Sequence, residues 1–203
     1  MAARVTQGSP APIGGIVVAA GFSTRMGVFK LTLPWDSSTV IARVVQTLEE
    51  AGLEDIVVVT GHRADEVTRA LTGMAARTVY NPRYDTGEML SSIQVGLLAL
   101  RREALAALIC LGDQPQMEVG TVRAVLAAGY EVGWQQVVVP SHRKRAGHPI
   151  LLPRGIWLKV LSTTGTLRDV MKAEREHTRY ADVDTPTVLA DLDTLGDYDG
   201  GVA

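Results

Sequence analysis

Residues 17–35 read VVAAGFSTRMGVFKLTLPW. A β-branched apolar run ends at Ala19-Ala20-Gly21, and Ser23, Arg25, Gly27 and Lys30 follow at once. Residues 13–20, bounded by glycine, have the character of a parallel strand buried on both faces. Small residues and two cations after such a strand make either a loop that brings backbone N–H groups to a phosphate or an ordinary surface turn. Neither common phosphate motif is present: the spacing is not G-x-G-x-x-G, and Leu31 follows Lys30 where a P-loop needs Ser or Thr. The rest of the chain has to decide.

Working outward, apolar runs alternate with amphipathic segments. Val40, Ile41, Val44, Val45 and Leu48 recur at helical spacing, with Gly52 as a stop. Residues 56–60 predict a strand ended by Gly61, 63–71 a helix, and 76–80 a strand closed by Asn81-Pro82. Residues 90–101 predict a helix, with Leu90, Ile93, Leu97 and Leu100 on one face. ALAALICLGD predicts a strand ending at Gly112, although its alanines suit a helix too. A helix over 119–128 and a strand over 137–140 follow. This alternation predicts a single α/β domain over residues 13–203, with helices on both faces of a mostly parallel sheet and a more irregular C-terminal third. Residues 1–12 lack the apolar core of a secretory signal and are expected to form a flexible tail.

The totals narrow the function. A net charge of −2 gives no basic field for nucleic acid. No apolar run is long enough to span a bilayer, so the cytoplasm is the expected compartment. The single cysteine, Cys110, excludes an internal disulfide and reads as a small core residue. His142 and His177 have no partner at zinc-ligand spacing, and no nucleophile-elbow motif is present. The basic run SHRKR at 141–145 is either a solvated loop or an anion contact.

Ligands of such sheets bind at the carboxyl ends of the strands. The segments there are the opening loop, Thr60-Gly61-His62, NPRYDTGEMLSS and Gly112-Asp113-Gln114-Pro115. A carboxylate at the end of an apolar strand is costly unless paired or metal-bound. Asp113 is therefore a candidate ligand for a hard divalent cation, or else an N-cap. Two further pairs, Asp182 with Asp184 and Asp191 with Asp193, would each face one side of a strand. Either could serve a cation or form a solvated edge.

Together these segments resemble nucleotidyltransferases of the molybdenum cofactor cytidylyltransferase type. VVAAGFSTRMGVFKLTLPW is similar to that group's L-A-A-G-x-S-x-R-M-G-x-x-K-L loop, and LGDQP to its G-D-x-P metal motif. NPRYDTGEMLSSIQVGL is similar to N-P-x-x-x-x-G-M-x-x-S-x-x-x-G-L, and GHPILLPR to G-H-P-V-L-F-x-R. The resemblance implies a three-layer αβα, Rossmann-like fold of the nucleotide-diphospho-sugar transferase type. It also implies Mg²⁺-dependent transfer of CMP from CTP to the phosphate of molybdenum-molybdopterin, with release of pyrophosphate. GTP as donor, or a sugar or polyol phosphate as acceptor, are the alternatives.

Carried onto this chain, the resemblance gives Ala19, Ala20, Gly21, Ser23, Arg25 and Lys30 to the triphosphate. Gly61, His62, Ser91 and Ser92 lie beside base and ribose. Asp113 and Asp191 hold Mg²⁺, while His148 and Asp193 face the acceptor. Arg25 and Lys30 offset charge on the departing pyrophosphate. Leu195-Gly196 stand where that group has Pro-Glu, whereas an intact D-T-P occurs at Asp184-Thr185-Pro186. Asp182 and Asp184 therefore stay open as the second metal ligand. The altered motif also keeps open a non-catalytic carrier that delivers the cofactor to a molybdoenzyme client. A nicotinamide-dependent oxidoreductase is disfavoured, since Thr60-Gly61-His62 offers no acid for a ribose.

Overall fold

The computed structural model describes residues 12–23, 26–86, 88–192 and 194–199. The expected tail, apart from Pro12, lies outside them, as do Arg25 and Asp193. Strand β1 (Ile13–Ala19) leads through a small hairpin, β2 (Pro34–Trp35) and β3 (Ser38–Thr39), into α1 (Val40–Glu50). There follow β4 (Asp55–Thr60), α2 (Ala64–Ala70), β5 (Arg77–Tyr80), α3 (Met89–Ala99), β6 (Ala106–Leu111) and α4 (Val119–Glu131). The last third holds β7 (Val137–His142), β8 (Arg145–Ala146), β9 (Ile150–Pro153), α5 (Trp157–Ser162), α6 (Leu167–Ala173), β10 (Thr178–Asp182) and α7 (Leu195–Asp199).

The main sheet runs β10-β7-β9-β6-β1-β4-β5, with β8 added to β7. Its pairings are parallel except where β9 lies antiparallel to both β6 and β7, and β8 to β7. The C-terminal third is thus more regular than its sequence suggests, because β9 and β10 complete the sheet. A buried strand such as β9 carries apolar residues on both faces, so ILLP reads the same in either direction.

Side chains alternate between two cores, as period-two pleating requires. Val17, Ile56, Val58, Leu108 and Cys110 pack with α1 and α4 on one face, whereas Ile16, Val57, Val59 and Ile109 pack with α3, α5 and α6 on the other. On α1, Val40, Ile41, Val44, Val45 and Leu48 are all fully buried. At 25 cal/mol per Å², each such side chain supplies about 1.5–3 kcal/mol. Thr39 caps this helix by accepting the Ala42 amide. No helix among the described residues is long and apolar enough to cross a membrane.

The strand order fixes where a ligand can enter. From β1 the chain moves outward to β4 and β5, then returns to add β6 on the other side of β1. The loops after β1 and β6 therefore diverge, leaving a crevice at the switch point between them.

Candidate active site

A cleft of about 320 Å³ occupies that crevice. Ala19, Ala20, Gly21 and Ser23 form one wall, Leu111 and Asp113 the other, and Lys30 and Asp191 also face it. Tyr84, Glu88, Met89 and Ser92 close the side toward α3. The opening loop turns sharply at Ser23, whose φ is 55°, and the Ser23 hydroxyl accepts the Lys30 amide at 3.3 Å. At Lys30–Thr32 the chain makes a single 3₁₀ turn and not an α-helix. The positive field here thus comes from the Lys30 ammonium, without the helix dipole that serves a P-loop.

Lys30 Nζ sits 2.5 Å from Asp113 Oδ2 and donates to the carbonyl of Leu192 at 2.9 Å. The carboxylate at the end of β6 is therefore paired, as burial demands. Its partner shows that the seat beside Asp113 accepts a cation.

Asp191 reaches the cleft on a strap that leaves β10 and runs back across the strand ends. Val183 N donates to Ser141 O at 2.9 Å, and His148 N to Val188 O at 3.0 Å. Gly147 passes so close to the Val188 carbonyl that any Cβ there would collide with it. Gln116 donates to Ala190 O, and Leu192 N to Asp113 O at 3.3 Å. Leu192 is buried, which anchors the strap by its apolar side chain. Gln114, itself buried, donates from Nε2 to Asp191 Oδ1 at 2.7 Å and so holds that carboxylate in place. Asp182 ends β10 on the sheet edge and Asp184 is exposed; neither lines the cleft.

The donor set suits Mg²⁺ in one particular way. Among the described residues no cluster of three or more metal-ligating side chains could cage an ion by itself. Two carboxylates facing one cleft match the habit of Mg²⁺, which takes one or two protein carboxylates and fills its remaining positions with phosphate oxygens and water.

The neighbouring segments buttress the cleft. Asn81 is buried and donates from Nδ2 to Ser91 Oγ at 2.9 Å and Ser92 Oγ at 3.0 Å, tying the end of β5 to the first turn of α3. Ser92 lines the cleft, whereas Ser91 faces a separate hollow toward Gln94. Gly61 and His62 brace the opening loop: His62 N donates to Ala20 O at 3.2 Å. The His62 ring packs 5.0 Å from Phe22 and 5.7 Å from Phe29, and Phe22 lies 5.4 Å from Tyr84. Gly61 lacks a Cβ because one would strike Tyr84 and the Ala20 carbonyl.

His148 joins the site from the far side. Its Nε2 is buried with no hydrogen-bond partner among the described residues. Burial pushes its pKa below the ordinary value, while the charges of Asp191 and then Asp113 oppose that shift. A larger cavity, about 380 Å³, lies at the opposite ends of the strands between Pro12 and Trp134. There Asp55 is already joined to Arg101, whose backbone amide donates to Oδ2 at 2.8 Å and whose Nε lies 4.0 Å from Oδ1. Asn81, Tyr84, Glu88, Met89 and Gln114 lie within segments that the sequence placed at the strand ends, but no individual role was expected of them there.

A doubly wound sheet whose switch-point cleft combines a small-residue loop, a lysine and two carboxylates defines a nucleotidyltransferase of the Rossmann-like type. The chain belongs to the family of MobA-like NTP transferase domains, whose model matches residues 15–180. It is 24% identical over 185 residues to the molybdenum cofactor cytidylyltransferase of Escherichia coli (strain K12), covering 90% of this chain and 92% of that one. Among solved structures it is similar to Rv0371c from Mycobacterium tuberculosis H37Rv, with a TM-score of 0.80 and 26% identity over 96% of this chain and 98% of that one. A second structure of Rv0371c, in complex with manganese, matches at a TM-score of 0.76 and 27% identity over 94% and 98% of the two chains. A nucleotidyl transferase from Methanothermobacter (Mth528) matches at 0.80 and 27% identity, over 93% and 94%. Asp191 lies beyond the span of the family match, so its place rests on the strap geometry alone.

Proposed function

We propose that this protein transfers CMP from CTP to the terminal phosphate of molybdenum-loaded molybdopterin, releasing pyrophosphate, with Mg²⁺ as its metal. The observation that carries this reading is the likeness to the E. coli cytidylyltransferase along nearly the whole of both chains. The manganese in the Rv0371c complex supports a divalent cation in the same role.

On this reading the loop from Ala19 to Ser23 receives the triphosphate, and Lys30 leaves Asp113 to neutralise it. Asp113 and Asp191 hold the metal, with Gln114 fixing Asp191. When bound, Mg²⁺ screens the phosphates and withdraws charge from the phosphorus under attack. An oxygen of the acceptor phosphate forms a bond to the α-phosphorus. The bond from that phosphorus to the β-bridging oxygen breaks, and the electron pair leaves with pyrophosphate. A phosphate nucleophile is already ionised at neutral pH, so the chain needs positioning and charge and no general base. Lys30, and Arg25 beside it in sequence, offset charge on the leaving group. Ser92 and Tyr84 line the side on which base and ribose lie.

The test is incubation with Mg²⁺, molybdenum-loaded molybdopterin and each of CTP, GTP, ATP and UTP, with pyrophosphate detection. CTP-dependent release is expected. Release with GTP alone would move the protein to the guanylyl branch, and no release with any triphosphate would overturn the reading.

A further inference from the structure

Both ends of the opening loop meet one side chain from another strand end. His62, which follows β4, sets its ring 5.0 Å from Phe22 and 5.7 Å from Phe29. These are distances at which aromatic rings attract one another. Phe22 meets Tyr84 in turn at 5.4 Å. Arg63 lays its guanidinium 5.0 Å over the Phe29 ring, while its Nε donates to Glu66 Oε1 at 2.6 Å. A row of π groups thus ties the loop after β1 to the segments after β4 and β5.

The shape of the loop needs such a restraint. Phe29 is buried and fixes one end, but Phe22 is 43% exposed, so burial alone holds it weakly. Between them Ser23 has a φ of 55°, in the left-handed region that a serine seldom adopts. Such a conformation persists only where its surroundings over-determine it. The His62 amide contributes by donating to Ala20 O at 3.2 Å, and the His62 ring contributes by joining the two phenylalanines. Ser23, Lys30 and Tyr84 line the cleft, whereas His62 does not.

We propose that His62 is a positioning residue whose ring clasps Phe22 and Phe29, holding the loop between them in the shape that receives a triphosphate. On this account the ring meets neither base nor ribose, which departs from the place that the resemblance implies for it. A clasped loop needs no ordering when the ligand binds. An unclasped loop lowers affinity in proportion to the time it spends out of shape. The loss falls on every ligand that carries the triphosphate, and not on turnover once that ligand is bound. The inference rests on the triphosphate reading of the cleft.

Calorimetric titration of the full chain with Mg²⁺·CTP and with inorganic tripolyphosphate plus Mg²⁺ tests it. His62→Ala should weaken both ligands by one factor, about tenfold, as expected for one or two lost aromatic contacts. His62→Phe, which keeps a ring without its nitrogens, should recover most of that loss. Phe22→Ala should weaken both ligands in the same way, and H62A/F22A should lose little beyond either single variant, because each opens the same clasp. In steady-state transfer by His62→Ala, KM for CTP should rise by the binding factor, with kcat within about threefold of wild type. General loosening of the fold would instead lower apparent kcat at constant KM. CTP weakened with tripolyphosphate unaffected would return His62 to the base and ribose. His62→Phe as weak as His62→Ala, independent losses in the double variant, or tripolyphosphate that fails to bind wild type would likewise overturn the clasp. Ring-dependent tripolyphosphate binding without transfer from any nucleoside triphosphate would refute the proposed reaction and leave the clasp standing.

Discussion

Lys30→Met tests whether an ammonium and a divalent cation share one seat beside Asp113. Lys30 Nζ lies 2.5 Å from Asp113 Oδ2, the two side chains being 14% and 22% exposed. An exposed ion pair is worth about 0–1 kcal/mol and breaking a buried one costs about 3–5 kcal/mol, so this half-enclosed pair falls at about 1–2 kcal/mol. A metal ion that reaches Asp113 must first displace that contact. Removing the ammonium should therefore tighten binding of the metal alone by roughly 5- to 30-fold, at about 1.4 kcal/mol per factor of ten. The assay is Mn²⁺ titration without nucleotide, followed by the paramagnetic signal of the free ion, on wild type, Lys30→Met and Asp113→Asn. Binding of Mg²⁺·CTP should weaken in the same Lys30→Met variant, because the phosphates lose their cation. The two ligands thus respond with opposite sign, which general loosening of the fold would not produce. The metal-free variant should melt about 2–8 °C lower, since Leu192 O also loses its donor. Manganese affinity that is unchanged or weaker in Lys30→Met, or that survives Asp113→Asn, would refute the shared seat.

Gln114→Ala frees Asp191 Oδ1 from its 2.7 Å hydrogen bond and should lower turnover about 10- to 100-fold, with a raised Mg²⁺ requirement and little change in KM for CTP. Steady-state kinetics at several Mg²⁺ concentrations check this, and an unaltered Mg²⁺ requirement counts against a positioning role. His148 titrates below its ordinary value in the folded chain, so between the two values the unfolded chain binds more protons. Stability contributed by neutral His148 is then present above pH 6.5 and lost as pH falls below it. Urea unfolding at several pH values should show that decline in wild type and a shallower one in His148→Asn; parallel profiles would contradict it. Burial pushes the Cys110 thiol far above its ordinary value, so a thiol reagent should leave the native protein unmodified and react once denaturant unfolds it. Rapid labelling of native protein would show that strand β6 opens.

The parts of this fold that local pattern dictates were legible. Short apolar runs located β1, β4 and β5, and helical spacing the helices α1 to α4, to within a few residues. The alanine-rich run around Cys110 left helix and strand both open. The parallel pairing of β6 with β1 decides for the strand, a choice made by the neighbour and not by the segment. The direction of β9 and the regular end of the chain were hidden for the same reason. In the site, Asp113 could be found because it directly follows an apolar strand. Asp191 could not be separated from Asp182 and Asp184 by motif, since the intact D-T-P lies at the earlier pair. Long-range contacts are what bring Asp191 to the cleft: Gln114, the Asp113 carbonyl and Lys30 all grip the strap near residue 191. None of these has a local signature.

These contacts also bear on the order in which the site fills. Lys30 binds both Asp113 and the Leu192 carbonyl, and Gln114 donates to one oxygen of Asp191 beside them. The cleft is therefore stable without ligand, which explains how two carboxylates can stand together at the end of a buried sheet. Without a nucleotide it offers a divalent cation little, since only two carboxylates face it and an ammonium competes for one of them. A triphosphate changes both conditions at once: it brings its own oxygens to the metal and gives Lys30 a better-charged partner. On the proposed reading the metal therefore enters with the nucleotide. Lys30 is then more than a phosphate contact. On the same proposed reading, by occupying Asp113 until the nucleotide arrives, it would couple metal binding to the presence of the substrate that the metal is to activate.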